Sequence, residues 1–357
     1  MNFKCKDMNK IKSIVIVAAL LTGFAACQKD NEKPTASIEG YAMVLDEGSW
    51  GSNNASISLI KDQSGEIENN WFAEMNGRGL GDVAQDIVVY GTKAYVTVTF
   101  SNTLEVIDLK SGKSNMLSMG NRQPRYIAAA NGSLFISCYT NREVVRVDTT
   151  DLIAGNFAVK GTGALGDYQP EGVAVANGKV FVASSWISGE NQSYLYDDKV
   201  YVFDAGTMQM IESVAVGTNP QQVVAVDDNH VAVNYSGNYG DIPAGCAIIN
   251  TASLSISQTL QAVTGMTAYN GMIYGYHSEY GSPATFFRIN ATDLSKTSIN
   301  INVSNPYGIS VDPSNGDIYV TTDGNYVANG DVYCFTNNGS QRWSSEAEML
   351  PKKVVFF

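Results

Sequence analysis

Aromatic and amide side chains gather in a few polar, loop-like segments of this chain, such as Glu47-Gly-Ser-Trp-Gly-Ser-Asn-Asn54 and Asp323-Gly-Asn-Tyr326. Tyr and Trp offer large rigid contact areas with one polar group, and Asn, Gln and Ser add neutral hydrogen bonds. We therefore predict a binding site for a large neutral ligand rich in amide or hydroxyl groups. The alternative for each aromatic residue is that it only packs one loop against another. The candidate contact residues are Trp50, Asn53, Tyr139, Trp186, Tyr194, Tyr235, Tyr239, His277, Tyr280, Tyr307 and Tyr326.

Two arginines are candidates for a polar contact with the same ligand. Arg125 and Tyr126 follow Pro124, which opens an apolar run, and Arg78 precedes Gly79-Leu-Gly81. In so acidic a chain, a guanidinium at these places suggests contact with a carbonyl or phosphate group. The alternative for either arginine is an ion pair with a neighbouring carboxylate such as Asp82 or Asp167.

Histidines are too few for most metal or catalytic centres. The chain has two, His230 and His277, which excludes a three-histidine zinc site. Asp241, Glu279 and Asp323 lie in the same group of loops as His277, but the sequence brings no two of them within reach. We predict no catalytic residue, no metal site and no cofactor, and a lyase or lactonase activity stays open as an alternative.

The charge of the chain argues against a nucleic-acid partner. Its 357 residues include 23 Lys and Arg against 35 Asp and Glu, for a formal net charge of −12. Nucleic-acid binding depends on neutralising phosphates with basic side chains, which this balance does not favour.

The first 37 residues predict export and anchoring. Four lysines precede an apolar run from Ser13 to Phe24, and Ala25-Ala-Cys27 follows. This is the pattern of a secretory signal peptide over residues 1–26, and its run is shorter than the roughly 20 residues that span a bilayer. A cysteine directly after Ala-Ala resembles the bacterial lipobox, so we predict lipidation at Cys27, a tether over residues 27–37 and one domain over residues 38–357. A plain secretory peptide with an incidental cysteine is the alternative.

The tether itself predicts display at the cell surface. Gln28-Lys-Asp-Asn-Glu-Lys-Pro34 is similar to the segment that sends lipoproteins of Bacteroides-type bacteria to the outer face of the outer membrane. Loss of residues 1–26 removes four lysines and one aspartate and takes the formal charge from −12 to −15. The domain is therefore expected to be displayed on its lipid, and not adsorbed to an anionic surface by charge. The remaining Cys138, Cys246 and Cys334 lie in separate hydrophobic runs and are predicted to be buried free thiols.

One sequence unit repeats along the chain, with four short β-like runs per copy. The hairpin positions Gly91, Gly132, Gly178, Asn229, Gly271 and Gly316 recur every 41 to 51 residues, and prolines 124, 170, 220, 306 and 351 open the apolar runs. This period and the lack of helical periodicity predict an all-β, seven-bladed β-propeller. Residues 41–46 are expected to pair with the C-terminal run 351–357, which closes the ring by joining the N- and C-terminal strands.

The two ends of such a ring differ in chemistry. Four Asn-Gly pairs, at residues 131, 177, 270 and 315, predict tight turns between the first and second strands, which leave little surface to bind with. The aromatic loops and the connectors between blades fall at the opposite end. We expect the ligand there.

The repeat resembles those of YncE-like, or YVTN, propellers, through Tyr95-Val-Thr-Val98 and strands ending in Val-Ile-Asp108. Leu80-Gly-Asp-Val-Ala-Gln85 and Pro124-Arg-Tyr-Ile127 are similar to segments of gut Bacteroides surface lipoproteins of the cobalamin-binding BtuG family. The resemblance implies a protein that binds cobalamin or a related corrinoid, as a ligand and not as a catalytic cofactor. It also implies delivery to a TonB-dependent transporter of the BtuB type. A glycan-binding or adhesive surface propeller is the alternative function.

Overall fold

The computed structural model describes residue 38 and residues 40–61, 63–190, 193–260, 262–279 and 282–357, with the backbone alone for residues 257–260. The predicted signal peptide, Cys27 and the tether lie outside the described residues, so lipidation and the domain boundaries remain predictions. Among the described residues, no helix has the length and apolar character that crossing a bilayer requires.

Strands of the described residues form seven four-stranded antiparallel sheets, the blades, and one short hairpin. Blade 1 contains β1 (Tyr41–Asp46), β2 (Ser56–Lys61) and β3 (Ile67–Glu68), and blade 2 contains β4 (Ala84–Tyr90), β5 (Lys93–Val98), β6 (Thr103–Asp108) and β7 (Ser114–Ser118). Blade 3 contains β8 (Pro124–Ala130), β9 (Ser133–Cys138), β10 (Glu143–Asp148) and β11 (Val159–Ala164). Blade 4 contains β12 (Pro170–Ala176), β13 (Lys179–Ser184), the hairpin β14 (Trp186–Ser188) and β15 (Tyr194–Tyr196), β16 (Lys199–Asp204) and β17 (Met210–Ala215).

The remaining blades repeat the same order. Blade 5 contains β18 (Pro220–Ala225), β19 (His230–Tyr235), β20 (Gly245–Asn250) and β21 (Ile256–Leu260), and blade 6 contains β22 (Gly265–Tyr269), β23 (Met272–His277), β24 (Thr285–Asn290) and β25 (Lys296–Ile299). Blade 7 contains β26 (Pro306–Val311), β27 (Ile318–Thr322), β28 (Asn329–Phe335) and β29 (Gln341–Met349), and β30 (Pro351–Val355) ends the series. Short helical segments are α1 (Trp71–Asn76), α2 (Thr149–Ile153) and a 3₁₀ turn (Gly324–Tyr326).

The ring closes by pairing its two terminal strands. β30 runs antiparallel to β1, with Met43 opposite Val355 and Val44 opposite Val354. Blade 1 therefore has the order β3-β2-β1-β30, and its innermost strand comes from the C-terminus. The predicted all-β, seven-bladed propeller with this closure is confirmed.

Seven hydrophobic clusters of described residues hold the blades together, each between two neighbours. Because successive side chains of a strand point to opposite faces, Ala42 and Val44 pack with Tyr319 of blade 7, while Met43 and Leu45 pack with Ile87 of blade 2. Both faces of a blade are therefore buried, which explains the nearly continuous apolar runs in the sequence.

The three described cysteines belong to these clusters. Cys138, Cys246 and Cys334 are buried free thiols, as predicted. Burial raises the pKa of Cys246 and of Cys334 to about 12, so both stay protonated at neutral pH and act as small apolar groups.

Three of the four predicted Asn-Gly turns adopt the expected tight geometry. Asn131 and Gly132 have φ of 49° and 75°, and the pairs at residues 177 and 270 are alike, as a two-residue hairpin turn requires. Asn315-Gly316 is different, because the Asp312 carboxylate accepts from Ser314 N at 2.8 Å and Gly316 N donates to Asp312 O at 2.8 Å. The carboxylate stabilises a wider turn there.

The innermost strands β4, β8, β12, β18, β22, β26 and β30 each contact the next around a central channel of about 370 Å³. One close approach falls at the seam of the ring, between β26 of blade 7 and β30 of blade 1. A Cβ on Gly308 of β26 would lie 1.9 Å from Lys352 O of β30, so this position has room only for glycine.

The first prediction concerns this approach. Gly308→Ala forces β26 and β30 apart and should lower the free energy of unfolding by about 1–3 kcal/mol or more. Gly79→Ala is the control, since no atom lies within 4 Å of a Cβ there and φ is not positive. Urea unfolding of both variants is the measurement, and equal stability of the two would contradict the described seam.

A second prediction concerns Asp46, the last residue of β1. Burial raises its pKa from 3.8 to about 7, and Ser58 Oγ donates to its Oδ2 at 2.7 Å. Because the folded state holds this proton more tightly than the unfolded state, the contribution of Asp46 to stability is fully present below about pH 4 and is lost as the pH rises through about 7. Relative to Asp46→Asn, the wild type should lose up to about 4 kcal/mol over this interval. Urea unfolding of both proteins between pH 4 and 8 gives the free energy of unfolding at each pH. If the two plots against pH ran parallel, the raised pKa of Asp46 would be refuted.

Candidate functional site

The starts of the innermost strands shape one end of the channel. Gln123, Asn219, Asn305 and Leu350, each directly before a blade-opening proline, have positive φ between 51° and 65°. The strand register then shifts, for example between Pro124 and Ile127. Such a bulge re-aims the side chains that follow. A connected group of side chains results, which we call the channel mouth, and it consists of Glu47, Gln85, Arg125, Tyr126, Tyr139, Glu171, Tyr307 and Lys352.

Arg125 is held at the channel mouth by a buried carboxylate. Its Nη2 donates to Glu171 Oε2 at 2.9 Å and its Nη1 donates to Gln85 Oε1. The guanidinium also lies 4.4 Å from the ring centroid of Tyr139, whose hydroxyl donates to Glu171. Arg125 therefore forms an ion pair, which was the alternative to a ligand contact. Its partner is Glu171 and not Asp82 or Asp167.

Glu47 organises the other half of the channel mouth. It accepts a hydrogen bond from the Tyr307 hydroxyl, and Lys352 Nζ lies 3.3 Å from its Oε2. Lys352 Nζ also lies 5.5 Å from the ring centroid of Tyr126. Two carboxylates therefore face one guanidinium and one ammonium, and the charges of the channel mouth balance.

Burial and these partners shift several pKa values at the channel mouth. Burial raises the pKa of Tyr307 and of Tyr139, and the nearby Glu47 and Glu171 raise them further. Burial alone would lower the pKa of Lys352 and of Arg125, but Glu47, Glu171 and the neighbouring tyrosines together outweigh it and both pKa values are raised. At neutral pH the two tyrosines are therefore neutral donors and the two basic groups remain charged.

An open pocket of about 370 Å³ adjoins the channel mouth, and we call it the aromatic pocket. It is lined by Glu47, Gly48, Ser49, Trp50, Val83, Phe100, Arg125, Tyr307, Tyr326 and Leu350. The ring centroids of Trp50 and Phe100 are 6.0 Å apart, and those of Tyr307 and Tyr326 are 5.9 Å apart, edge to face. The structure thus brings together four predicted site residues, Trp50, Arg125, Tyr307 and Tyr326, from blades 1, 3 and 7.

The loop that carries Trp50 is tied down at several points. Asp82 Oδ1 accepts from Gly51 N at 3.0 Å, and Asn54 Oδ1 accepts from Ser49 N at 2.8 Å. Gly48 N donates to Met349 O at 3.1 Å. Trp50 is 77% exposed on a loop that these hydrogen bonds hold in place. Its ring is therefore accessible to solvent while its backbone position is fixed.

A second aromatic group extends outward from the channel mouth over blades 4 and 5, and we call it the aromatic row. In the hairpin, Trp186 lies opposite Tyr196 and Ser188 opposite Tyr194, so their side chains share one face. Neighbouring ring centroids lie 5.3 to 6.4 Å apart along the row. The row consists of Tyr139, Trp186, Tyr194, Tyr196 and Tyr239, of which four were predicted. Each ring packs on the next, so the loop-packing alternative also holds for this group.

Other predicted residues are engaged elsewhere. Arg78 donates to both oxygens of Glu105 at 2.8 and 2.7 Å, and Glu105 is fully buried, so its guanidinium serves an ion pair within the fold. Its partner is Glu105, not Asp82. Tyr235 is enclosed by Gly217 and Gly245, where a Cβ would lie 2.7 and 2.1 Å from it, so it is a packing residue. Asn53 is exposed with φ of 53°, and Tyr280 lies outside the described residues.

The candidate catalytic residues do not converge. His277 Nε2 lies 3.1 Å from Glu279 Oε1, but Asp241 accepts from Asn238 Nδ2 at 2.8 Å and Asp323 from Asn325 N at 2.8 Å. Within the described residues, no group of three or more His, Cys, Asp or Glu could hold a metal ion. The geometry assigns no reaction, and the expected lack of enzyme activity stays a prediction.

Sequence reasoning missed six residues of this region, namely Glu47, Gln85, Phe100, Glu171, Tyr196 and Lys352. Glu171 and Lys352 carry a signal that could have found them, because each directly follows a blade-opening proline, as Arg125 and Tyr307 do. Gln85 holds the same position in blade 2, after Ala84, where the proline is absent. Glu47 and Phe100 have no such signal, since only ring closure and loop packing bring them to the site.

A family model described as a domain of unknown function (DUF5074) matches residues 39–349. No curated protein matches the chain.

Several solved structures are similar to the chain. A quinonprotein alcohol dehydrogenase-like protein from Bacteroides thetaiotaomicron is 14% identical, with a TM-score of 0.63 over 89% of this chain and 78% of that one. A candidate 6-phosphogluconolactonase from Bacteroides fragilis is 12% identical, with a TM-score of 0.62 over 90% and 99% of the two chains. Apo AztD from Citrobacter koseri is 12% identical, with a TM-score of 0.56 over 87% and 83%. At these identities the likeness concerns the fold alone.

The third prediction tests the ion pair at the channel mouth. Arg125→Met leaves Glu171, which is 3% exposed, without its cation, and should lower the free energy of unfolding by about 3–5 kcal/mol. Adding Glu171→Gln should restore part of this loss. Arg142→Met is the control, because its pair with Asp167 is 3.7 Å long and exposed and should contribute less than about 1 kcal/mol. Urea unfolding at pH 7 gives the free energy of unfolding of each variant. A double variant less stable than Arg125→Met would contradict the interaction between Arg125 and Glu171.

Proposed function

Because this chain belongs to the DUF5074 family, whose description states no function, we propose its function from its own site together with the family resemblance of its sequence: it captures a corrinoid at the aromatic end of the propeller. One observation carries the proposal. The aromatic pocket and the aromatic row both adjoin a channel mouth whose charges balance. Such a surface favours a large neutral ligand over an anion or a cation.

The exposed aromatic residues supply the contact area. Trp50, Tyr239 and Tyr326 are 77%, 76% and 60% exposed, and exposed aromatic groups of this kind typically mark binding sites. A corrinoid has a broad ring that can lie against aromatic side chains. Its peripheral amides can bond to the hydroxyls of exposed tyrosines such as Tyr239 and Tyr326. Arg125 is already paired with Glu171, so it serves as a donor in a neutral pair and not as a free positive charge for a phosphate.

The choice of a corrinoid within this ligand class depends on the resemblance to YncE-like propellers and the BtuG family. The same resemblance supports delivery of the ligand to a TonB-dependent outer-membrane transporter of the BtuB type. The signal peptide, the lipobox cysteine Cys27 and the charged tether in the sequence support display of the domain on the cell surface by a lipid anchor.

A fourth prediction tests corrinoid capture directly. Purified protein titrated with cyanocobalamin should bind it at micromolar protein. Trp50→Ala and Tyr239→Ala should each weaken binding by about 1–3 kcal/mol, because the first removes an exposed ring of the aromatic pocket and the second an exposed ring at the outer end of the aromatic row. Isothermal titration calorimetry gives the affinities, and urea unfolding should show nearly unchanged stability.

Met116→Ala is the matched control, since Met116 is 53% exposed on β7 and contributes to neither aromatic group. Its affinity should equal that of the wild type. Absence of cyanocobalamin binding at micromolar protein would refute corrinoid capture, and polysaccharide binding in its place would favour the glycan-binding alternative. Binding that survives both aromatic substitutions would refute the proposed site.

A further inference from the structure

A second cavity of about 350 Å³ opens beside blade 7 at the same end of the propeller, and we call it the polar pocket. Its polar lining includes the amides of Asn302, Asn305, Asn325 and Asn329 and the carboxylates of Asp323 and Asp331. Residues 302–305 belong to the connector before β26, and the others to the loop between β27 and β28 and to β28 itself. This cavity shares no lining residue with the aromatic pocket.

We propose that the polar pocket binds a neutral sugar unit through its hydroxyl groups. The proposal goes beyond corrinoid capture and does not depend on it. Small-ligand pockets run from about 300 to 1,000 Å³, so a cavity near the lower limit suits one sugar-sized group.

The lining chemistry matches hydroxyl groups better than charged ones. A hydroxyl both donates and accepts, an amide offers a donor and an acceptor, and a carboxylate only accepts. No lysine, arginine or histidine lines the cavity, and two carboxylates do, so a phosphate or carboxylate ligand would meet repulsion without a counter-charge.

Part of the lining is held in place and part is free to bind. Asn305 Nδ2 donates to Asn325 Oδ1 at 2.8 Å, and Asp323 Oδ1 accepts from Asn325 N at 2.8 Å. These bonds fix the loop. The side chains of Asn302 and Ser304 are exposed and make no hydrogen bond with another described residue, so their donors and acceptors remain available to a ligand.

The polar pocket and the aromatic pocket are separated by one short turn. Gly324 and Asn325 line the polar pocket, while Tyr326, the next residue, lines the aromatic pocket. Tyr326 is 60% exposed and its ring centroid lies 5.9 Å from that of Tyr307, so its ring belongs to the aromatic pocket, and the sugar contacts in the polar pocket are hydrogen bonds.

Ligand-observed saturation-transfer NMR on the purified protein tests the proposal, with the methyl glycosides of glucose, galactose, mannose and N-acetylglucosamine as probes. At least one probe should bind. The double variant Asn302→Ala/Ser304→Ala should weaken that binding at least two- to tenfold through lost hydrogen bonds. Ser314→Ala is the matched control, because Ser314 is also an exposed serine and lies in the turn between β26 and β27, at the opposite end of blade 7.

Binding that is lost in the double variant and kept in Ser314→Ala and Trp50→Ala supports the proposal. No binding of any probe, or binding unchanged in the double variant, overturns it. A Ca²⁺ titration that reveals cation binding lost in Asp331→Asn would also overturn it, because the pocket would then be a cation site. Cyanocobalamin binding is measured separately, so failure of corrinoid capture leaves this test intact.

Discussion

The antiparallel pairing of β30 with β1 is the constraint on which the rest of the structure depends. Every blade buries both faces against its neighbours, so an open ring would expose two apolar faces and an unpaired strand edge. Pairing the two terminal strands covers both faces at once. The pairing also brings Glu47, which follows β1, beside Lys352 of β30 and Tyr307 of β26. The candidate site is thus assembled by the same closure that stabilises the fold.

Charge compensation at the channel mouth pairs each basic group of this cluster with a carboxylate. Arg125 and Lys352 would attract anions if they were free, but Glu171 and Glu47 hold them at 2.9 and 3.3 Å. Separating such pairs leaves a buried carboxylate without its cation, which is costly. The basic residues are therefore engaged within the fold, and the ligand proposed for this end of the propeller would meet aromatic rings and neutral hydrogen-bonding groups.

Sequence reasoning grouped residues that line one pocket, but it did not identify which side chains are already engaged within the fold. Trp50, Tyr307 and Tyr326 were predicted from loop composition and the repeat, and they line one pocket. Arg78 and Tyr235 were predicted on the same grounds. In the structure, however, Arg78 forms an ion pair with Glu105, and the ring of Tyr235 packs against Gly217 and Gly245. Residue type and loop position cannot separate these cases, because the partner of each side chain comes from a different strand or blade.

The repeat period, the blade-opening prolines and the Asn-Gly turns determined the seven-bladed ring and its closure, because local turn geometry and strand alternation already specify one blade. They also determined which end of the ring carries the aromatic loops. Only the tertiary structure decided which arginine pairs with which carboxylate, which rings line a pocket and which only pack on one another. These outcomes depend on contacts between side chains of different strands and blades, and some of them, such as Glu47 with Tyr307 across 260 residues of chain, form only when the ring is closed.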